Sequence, residues 1–166
     1  SDTGKSWSPQ PVFALQKFFD IHFRDSLNGT AVGLGGSIFC TKDGGINWVQ
    51  KTSGSNEWLL DVDSSNDSTS YVAGGFGTIL KTTNGGDNWT SLNSGTQEWL
   101  TSISFLDDSF GIAAGNHGVI LRTLDAGSTW EDISPTNVVF DFTSVSLFSD
   151  ERVSNKTGAD NVGVTA

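Results

Sequence analysis

Few side chains in this 166-residue sequence could do chemistry, and their spacing argues against most of it. The two histidines, His22 and His117, have no cysteine or second histidine at metal-ligand spacing, so no zinc site is assigned. No nucleophile-elbow pattern accompanies them, and they read as structural or surface residues. The stretch DVDSSNDS, positions 61–68, is rich in oxygen. It lacks the glycine at place six and the glutamate at place twelve of an EF-hand loop, and reads as a polar loop between strands. Glu57, Glu98 and Glu131 are the carboxylates available for glycoside hydrolysis. Glu57 and Glu98 lie 41 residues apart and each precedes a tryptophan. A pair that recurs in this way reads as architecture rather than as a unique active site. Trp58 and Trp99 are accordingly expected to pack between repeats, the alternative being an exposed platform for sugar rings. No catalytic, cofactor-binding or metal-binding residue is assigned.

Charge and composition narrow the partners. The formal net charge is −10, and Arg24, Arg122 and Arg152 stand apart from one another. A nucleic acid or an anionic membrane surface would be repelled. No apolar run is long enough to span a bilayer. Cys40 is the single cysteine, so no internal disulfide can form and the redox compartment stays open. The sequence has no methionine and starts at a serine inside what proves to be a repeat, so a fragment or a processed chain is expected.

The elements that would position these residues emerge from self-comparison. Trp7, Trp48, Trp89 and Trp130 are separated by 41 residues each. Around them the chain reads DTGKSW, TKDGGINW, TNGGDNW and TLDAGSTW. The acidic or amide place is held by Asp2, Asp43, Asn84 and Asp125, and the glycine by Gly4, Gly45, Gly86 and Gly127. The leading hydroxyl is Thr41, Thr82 or Thr123. Upstream, the segments TAVGLGGSIFCT, YVAGGFGTILKT and IAAGNHGVILRT share glycines at fixed offsets: Gly33 and Gly36, Gly74 and Gly77, Gly115 and Gly118. Further upstream stand FFDIHFRD, LLDVDSSN, LTSISFLDD and FTSVSLFSD.

Within each unit the apolar period is two, and short β-branched and aromatic runs are bounded by Gly, Asn and Asp. In the first full unit strands are expected near 20–23, 30–33, 37–41 and 47–52. Four short antiparallel strands in about 41 residues make a β-propeller blade. A β-sandwich needs no strict period, and a solenoid coil has a shorter one. The chain therefore reads as all-β, a partial propeller of roughly four blades. Its blades are expected at 18–58, 59–99 and 100–140, with partial blades at 1–17 and 141–166. A closed four-bladed ring is the alternative to a piece of a larger propeller.

The recurring Thr-x-Asp-x-Gly-x-x-Trp then bridges the third and fourth strands. The carboxylate is expected to accept backbone N–H groups within the turn, and the glycine to supply a positive φ. The tryptophan is expected to enter the fourth strand and bury its ring under the turn. Asn84 keeps the acceptor and loses the charge, which fits local hydrogen bonding rather than reactivity.

This pattern resembles the Asp-box, or BNR repeat. The fuller unit AVGLGGSIFCTKDGGINW is most similar to the repeats of photosystem II stability/assembly-factor-like propellers. The resemblance implies a non-catalytic scaffold that binds a protein partner, without cofactor or metal and without membrane insertion. It also implies a secreted or envelope location, because the same repeat is widespread in such bacterial proteins. In the assembly factors it implies a basic, Arg-rich patch for a photosystem subunit, and this acidic chain has no such patch. Asp-boxes also occur in sialidases and xyloglucan hydrolases, so a glycan-binding or glycoside-hydrolysing propeller is the rival reading. A sialidase site needs an arginine triad and a Tyr–Glu pair, whereas Tyr71, the single tyrosine, falls at a packing position.

Overall fold

A computed structural model describes residues 16–148 and the strand backbone of 162–165. Three four-stranded antiparallel sheets follow one another along the chain. The first is β1 (Phe18–Phe23), β2 (Gly29–Gly33), β3 (Ile38–Thr41) and β4 (Val49–Lys51). The second is β5 (Leu59–Ser64), β6 (Ser70–Gly74), β7 (Ile79–Thr82) and β8 (Thr90–Leu92). The third is β9 (Leu100–Phe105), β10 (Gly111–Gly115), β11 (Ile120–Thr123) and β12 (Glu131–Asp132). A fourth sheet has two strands, β13 (Ser144–Leu147) and β14 (Val162–Thr165). In each four-stranded sheet the spatial order is the order of the chain, as in the blades of a propeller. The chain is a partial β-propeller of about four blades. No helix among the described residues is long and apolar enough to cross a membrane.

The sheets stack because each exposes apolar side chains on both faces. Val32, Ile38 and Cys40 of the first sheet close against Leu59, Val62, Val72, Leu80 and Trp89 of the second. Tyr71, Ala73 and Ile79 of the second close against Leu100, Ile103, Phe105, Ala113 and Leu121 of the third. Ile112 and Ala114 meet Val145 in the next seam. Each large side chain buried in this way stabilises the stack by roughly 1.5–3 kcal/mol.

The first strands of successive sheets also touch through polar groups. Asp20 Oδ2 accepts a hydrogen bond from Val62 N at 3.0 Å. Asp61 Oδ2 accepts from Ser102 Oγ and Ile103 N, both at 2.7 Å. Asp63 Oδ2 accepts from Phe105 N at 2.8 Å. Ser102 Oγ and Ser104 Oγ accept from Val145 N and Leu147 N, each at 3.1 Å. One or two polar side chains per step thus satisfy backbone donors that the next sheet's first strand leaves unpaired. The expectation of a loop over 61–68 is corrected by the strand: the first four of these residues belong to β5. Asp61 and Asp63 escape the loop because the neighbouring strand supplies their donors.

Two glycines per unit permit the turn between the second and third strands. A Cβ on Gly33 would stand 2.1 Å from the Lys17 carbonyl oxygen, and one on Gly36 would stand 1.9 Å from that of Ser55. Gly36 also has φ +74, a left-handed value. The same close approaches recur at Gly74 and Gly77. The turn is thereby pressed against the segment leading into its own sheet and the one leaving it.

Candidate binding face

The third-to-fourth-strand turns lie at one end of the blades. Thr41 Oγ1 donates to Asp43 Oδ1 at 2.9 Å and accepts from Gly45 N at 2.9 Å. Asp43 Oδ1 also accepts from Asn47 N at 2.9 Å, and Oδ2 accepts from Asn47 Nδ2 at 2.8 Å. Thr82, Asn84, Gly86 and Asn88 repeat the backbone part of this network with an amide in place of the acid. Thr123, Asp125, Gly127 and Thr129 repeat it with the acid restored. These bonds hold the Asp43 and Asp125 carboxyls below the ordinary carboxylate range, the backbone N–H of Asn47 or Thr129 being the largest cause. The turn's own donors take up these acceptors, as a structural role requires.

The tryptophans differ in depth. Trp89 is 8% exposed and packs into the seam with the preceding sheet. Trp130 is half-buried in the next seam. Trp48 is half-buried with its ring edge-on to Phe23 at 5.9 Å. Each precedes the fourth strand rather than entering it. Asp2, Gly4 and Trp7 lie outside the described residues.

The opposite end carries a different surface. Connectors 52–58 and 93–99 run from one sheet to the next beneath the glycine turns. Gly36 N donates to Glu57 O at 2.7 Å, and Gly75 N to Trp58 O at 2.9 Å. Gly77 N donates to Glu98 O at 2.8 Å, and Asn116 N to Trp99 O at 2.9 Å. The two Glu-Trp backbones are thus pinned between consecutive sheets. Their side chains form a row: Phe19 stacks on Trp58 at 5.5 Å, Trp58 meets Trp99 edge-on at 5.5 Å, and Trp99 lies 6.0 Å from Phe76. Trp58 is 44% exposed and Phe76 57%. The expectation that Trp58 and Trp99 pack between repeats is corrected for the depth of Trp58: both indoles touch rings of neighbouring units, but Trp58 stays 44% exposed, whereas Trp99 is half-buried. Phe140, a further 41 residues on, is 70% exposed.

Carboxylates flank the row. Glu98 Oε2 lies 2.7 Å from His117 Nδ1, which raises the imidazole above its ordinary value. Glu57 Oε2 and the Trp99 ring both come within 4 Å of where a Cβ on Gly75 would stand. A polar groove of about 470 Å³ opens between the turn at Gly35 and Gly36, the end of β4 at Gln50 and Lys51, and the connector up to Asn56, which precedes Glu57.

No carboxylate pair assembles for hydrolysis among these residues. Glu131 lies on β12, bound to Arg122 at 2.6 Å. Tyr71 is wholly buried and donates to Ala126 O at 3.0 Å, and Arg24 lies in the loop after β1. Cys40 is buried against Thr30 Oγ1 and Gly86 O, and burial pushes its thiol up. The nearest approach to an acid pair is Asp20 and Asp61, which share the Val62 N–H. Asp61 is raised to about 6, first by burial and then by its contact with Asp20. A groove of about 380 Å³ runs beside Asp61, Asp63, Ser102 and Ser104.

The sequence reading missed this inner polar row, although Asp20, Asp61 and Ser102 keep the 41-residue step. It also missed Phe19 and Phe76. Phe76 had no visible signal, because its counterparts are Gly35 and His117.

The family model described as photosynthesis system II assembly factor YCF48 matches residues 1–97. The chain belongs to this family. No curated protein sequence matches it. A solved structure of YCF48 bound to D1 peptide is 24% identical, with a TM-score of 0.67 over 76% of this chain and 42% of that one. YCF48 from Cyanidioschyzon merolae is 25% identical, with a TM-score of 0.64 over 74% of this chain and 41% of that one. An ancestral GH74 enzyme shares the fold at 15% identity, with a TM-score of 0.59 over 73% of this chain and 19% of its own. The chain therefore spans about two-fifths of the length of these YCF48 structures.

Proposed function

We propose that this YCF48-family propeller is a non-catalytic module that holds a protein partner on its connector face. The observation that carries the reading is the row Phe19, Trp58, Trp99 and Phe76, in which Phe19, Trp58 and Phe76 are exposed around a half-buried Trp99 on segments that backbone hydrogen bonds fix in place. Large rigid rings on a prearranged backbone give contact area at low entropic cost. The YCF48 solved with a D1 peptide is a relative that binds peptide. The acidity of this chain argues against carrying over that same peptide as its partner.

Exposed tryptophans also suit sugar rings, which keeps the carbohydrate reading as the rival. The absence of converging carboxylates among the described residues argues against hydrolysis. The test sets peptide and glycan arrays side by side, with a glycosidase panel, for the wild type and Trp58→Ala. Retention on peptide spots that the variant loses is the expected result. Glycan binding lost with Trp58, or hydrolysis abolished by Glu57→Gln, would replace this reading with the carbohydrate one.

A further inference from the structure

We infer that the connector face selects an arginine-bearing, basic segment of its partner, with the guanidinium lying against the exposed aromatic row and its N–H fork on Glu57. The inference rests on the protein-binding reading above and adds the chemistry of the partner.

Charge complementarity decides among occupants. The chain carries −10 overall. Glu57, Glu98 and Asp141 stand on the segments that build this end, with Lys17, Lys51 and His117 as their nearby opposites, and the Lys51 ammonium is already held by Asp87 at 2.8 Å. His117 already engages both of the other acids, with Nδ1 on Glu98 and its backbone N–H on Asp141 at 2.8 Å. The Glu57 carboxylate has no hydrogen-bond partner among the described residues and lies against the Trp99 side of the row. An unpaired carboxylate beside indole rings suits a cation that can stack and chelate together. Arginine does both, because its planar fork pairs bidentately with a carboxylate while its face lies on a ring. Lysine offers only a hydrated point charge. An acidic or phosphorylated segment would meet Glu57 and Glu98 as like charges.

The probe is a fluorescein-labelled peptide of alternating arginine and glycine, read by anisotropy and by tryptophan quenching on the whole chain. Matched peptides carry lysine or glutamate in place of arginine. The arginine peptide should bind most tightly. Glu57→Gln and Trp58→Ala should each weaken it about tenfold. Asp67→Asn removes the same charge from an exposed loop at the opposite end and should leave binding unchanged. Glu57→Gln is a near-isosteric change at a half-buried side chain, and its fold is checked by thermal melt, so the test survives even if Trp58→Ala unfolds.

Equal binding of the lysine peptide, or an equal loss with Asp67→Asn, would reduce the effect to diffuse charge and overturn the inference. If array peptides are retained through Trp58 without enrichment in arginine, this inference falls while the protein-binding reading stands. If no peptide is retained at all, both fall.

Discussion

Tyr71 stacks face to face on Phe105 across the seam between the second and third sheets, with centroids 3.6 Å apart and planes 9° from parallel. Trp130 closes on Phe105 edge-on at 6.1 Å, and Lys81 Nζ lies 5.3 Å from the Tyr71 ring. Truncating Phe105 would open a cavity between two sheets, each kept rigid by its own backbone ladder. Phe105→Ala should therefore cost about 3–5 kcal/mol. Tyr71→Phe removes one buried hydroxyl bond to Ala126 O and should cost only about 1 kcal/mol. Urea titration of both variants checks the order, and equal losses would refute the seam's role.

The box tryptophans should not be equivalent. Trp89 fills a seam at 8% exposure, whereas Trp48 is half-buried beside Phe23. Trp89→Ala should cost roughly 3–5 kcal/mol and Trp48→Ala distinctly less. Thermal melts of the two variants compare them directly. An unchanged melt for Trp89→Ala would mean that its indole does not hold the first two sheets together.

Ala126 stands at φ +60 where the two preceding boxes have Gly44 at +72 and Gly85 at +70. A residue with a Cβ is strained there by about 1 kcal/mol. Its N–H and C=O are held by Ser109 O and by Tyr71 and Lys81, so the backbone cannot relax away. Ala126→Gly keeps those bonds. It should raise stability by a few tenths of a kcal/mol up to about 1 kcal/mol, once the extra freedom of glycine in the unfolded chain is subtracted. A fall in the melting temperature would mean that the strain is absent.

What the sequence made legible, and what it hid, follows from how far each effect reaches along the chain. The Thr41–Asp43–Gly45 network closes within five residues, so residue type and spacing announce it. The strand order follows from the 41-residue step and the short turns. Gly33 and Gly36 were visible as fixed offsets, but their cause was not, because the carbonyls they admit come from Lys17 and Ser55. The depth of Trp58 was hidden for a similar reason. A repeating tryptophan fits a seam as well as a surface, and only the direction of the connector separates them. Asp61 read as a loop residue, and the cross-sheet role of Asp20 stayed hidden inside its expected strand, because their donors belong to the next sheet.

Asp61 makes stability depend on pH in an unusual direction. Its carboxyl titrates near 6 in the folded chain against 3.8 for an unperturbed group, because burial and Asp20 disfavour the charge. The folded state thus holds the proton more tightly than the unfolded one. The resulting stability is fully present below 3.8 and is lost as pH rises through about 6. The carboxyls of Asp25, Asp43, Asp87, Asp107, Asp125 and Asp132 are lowered, so their contribution falls away only below their ordinary value of 3.8. His117 is raised, and its contribution declines only above 6.5. Between pH ~5 and pH ~6.5 the Asp61 effect therefore stands clear of both and should remove about 1 kcal/mol of stability. Asp61→Asn mimics the protonated acid: its carbonyl can still accept from Ser102 and Ile103, while its amide can donate to Asp20. The variant should show a flat profile over that interval and exceed the wild type above it. Urea midpoints measured across the interval decide the point, and a wild type that gains stability as pH rises would show that Asp61 is ionised in the folded chain.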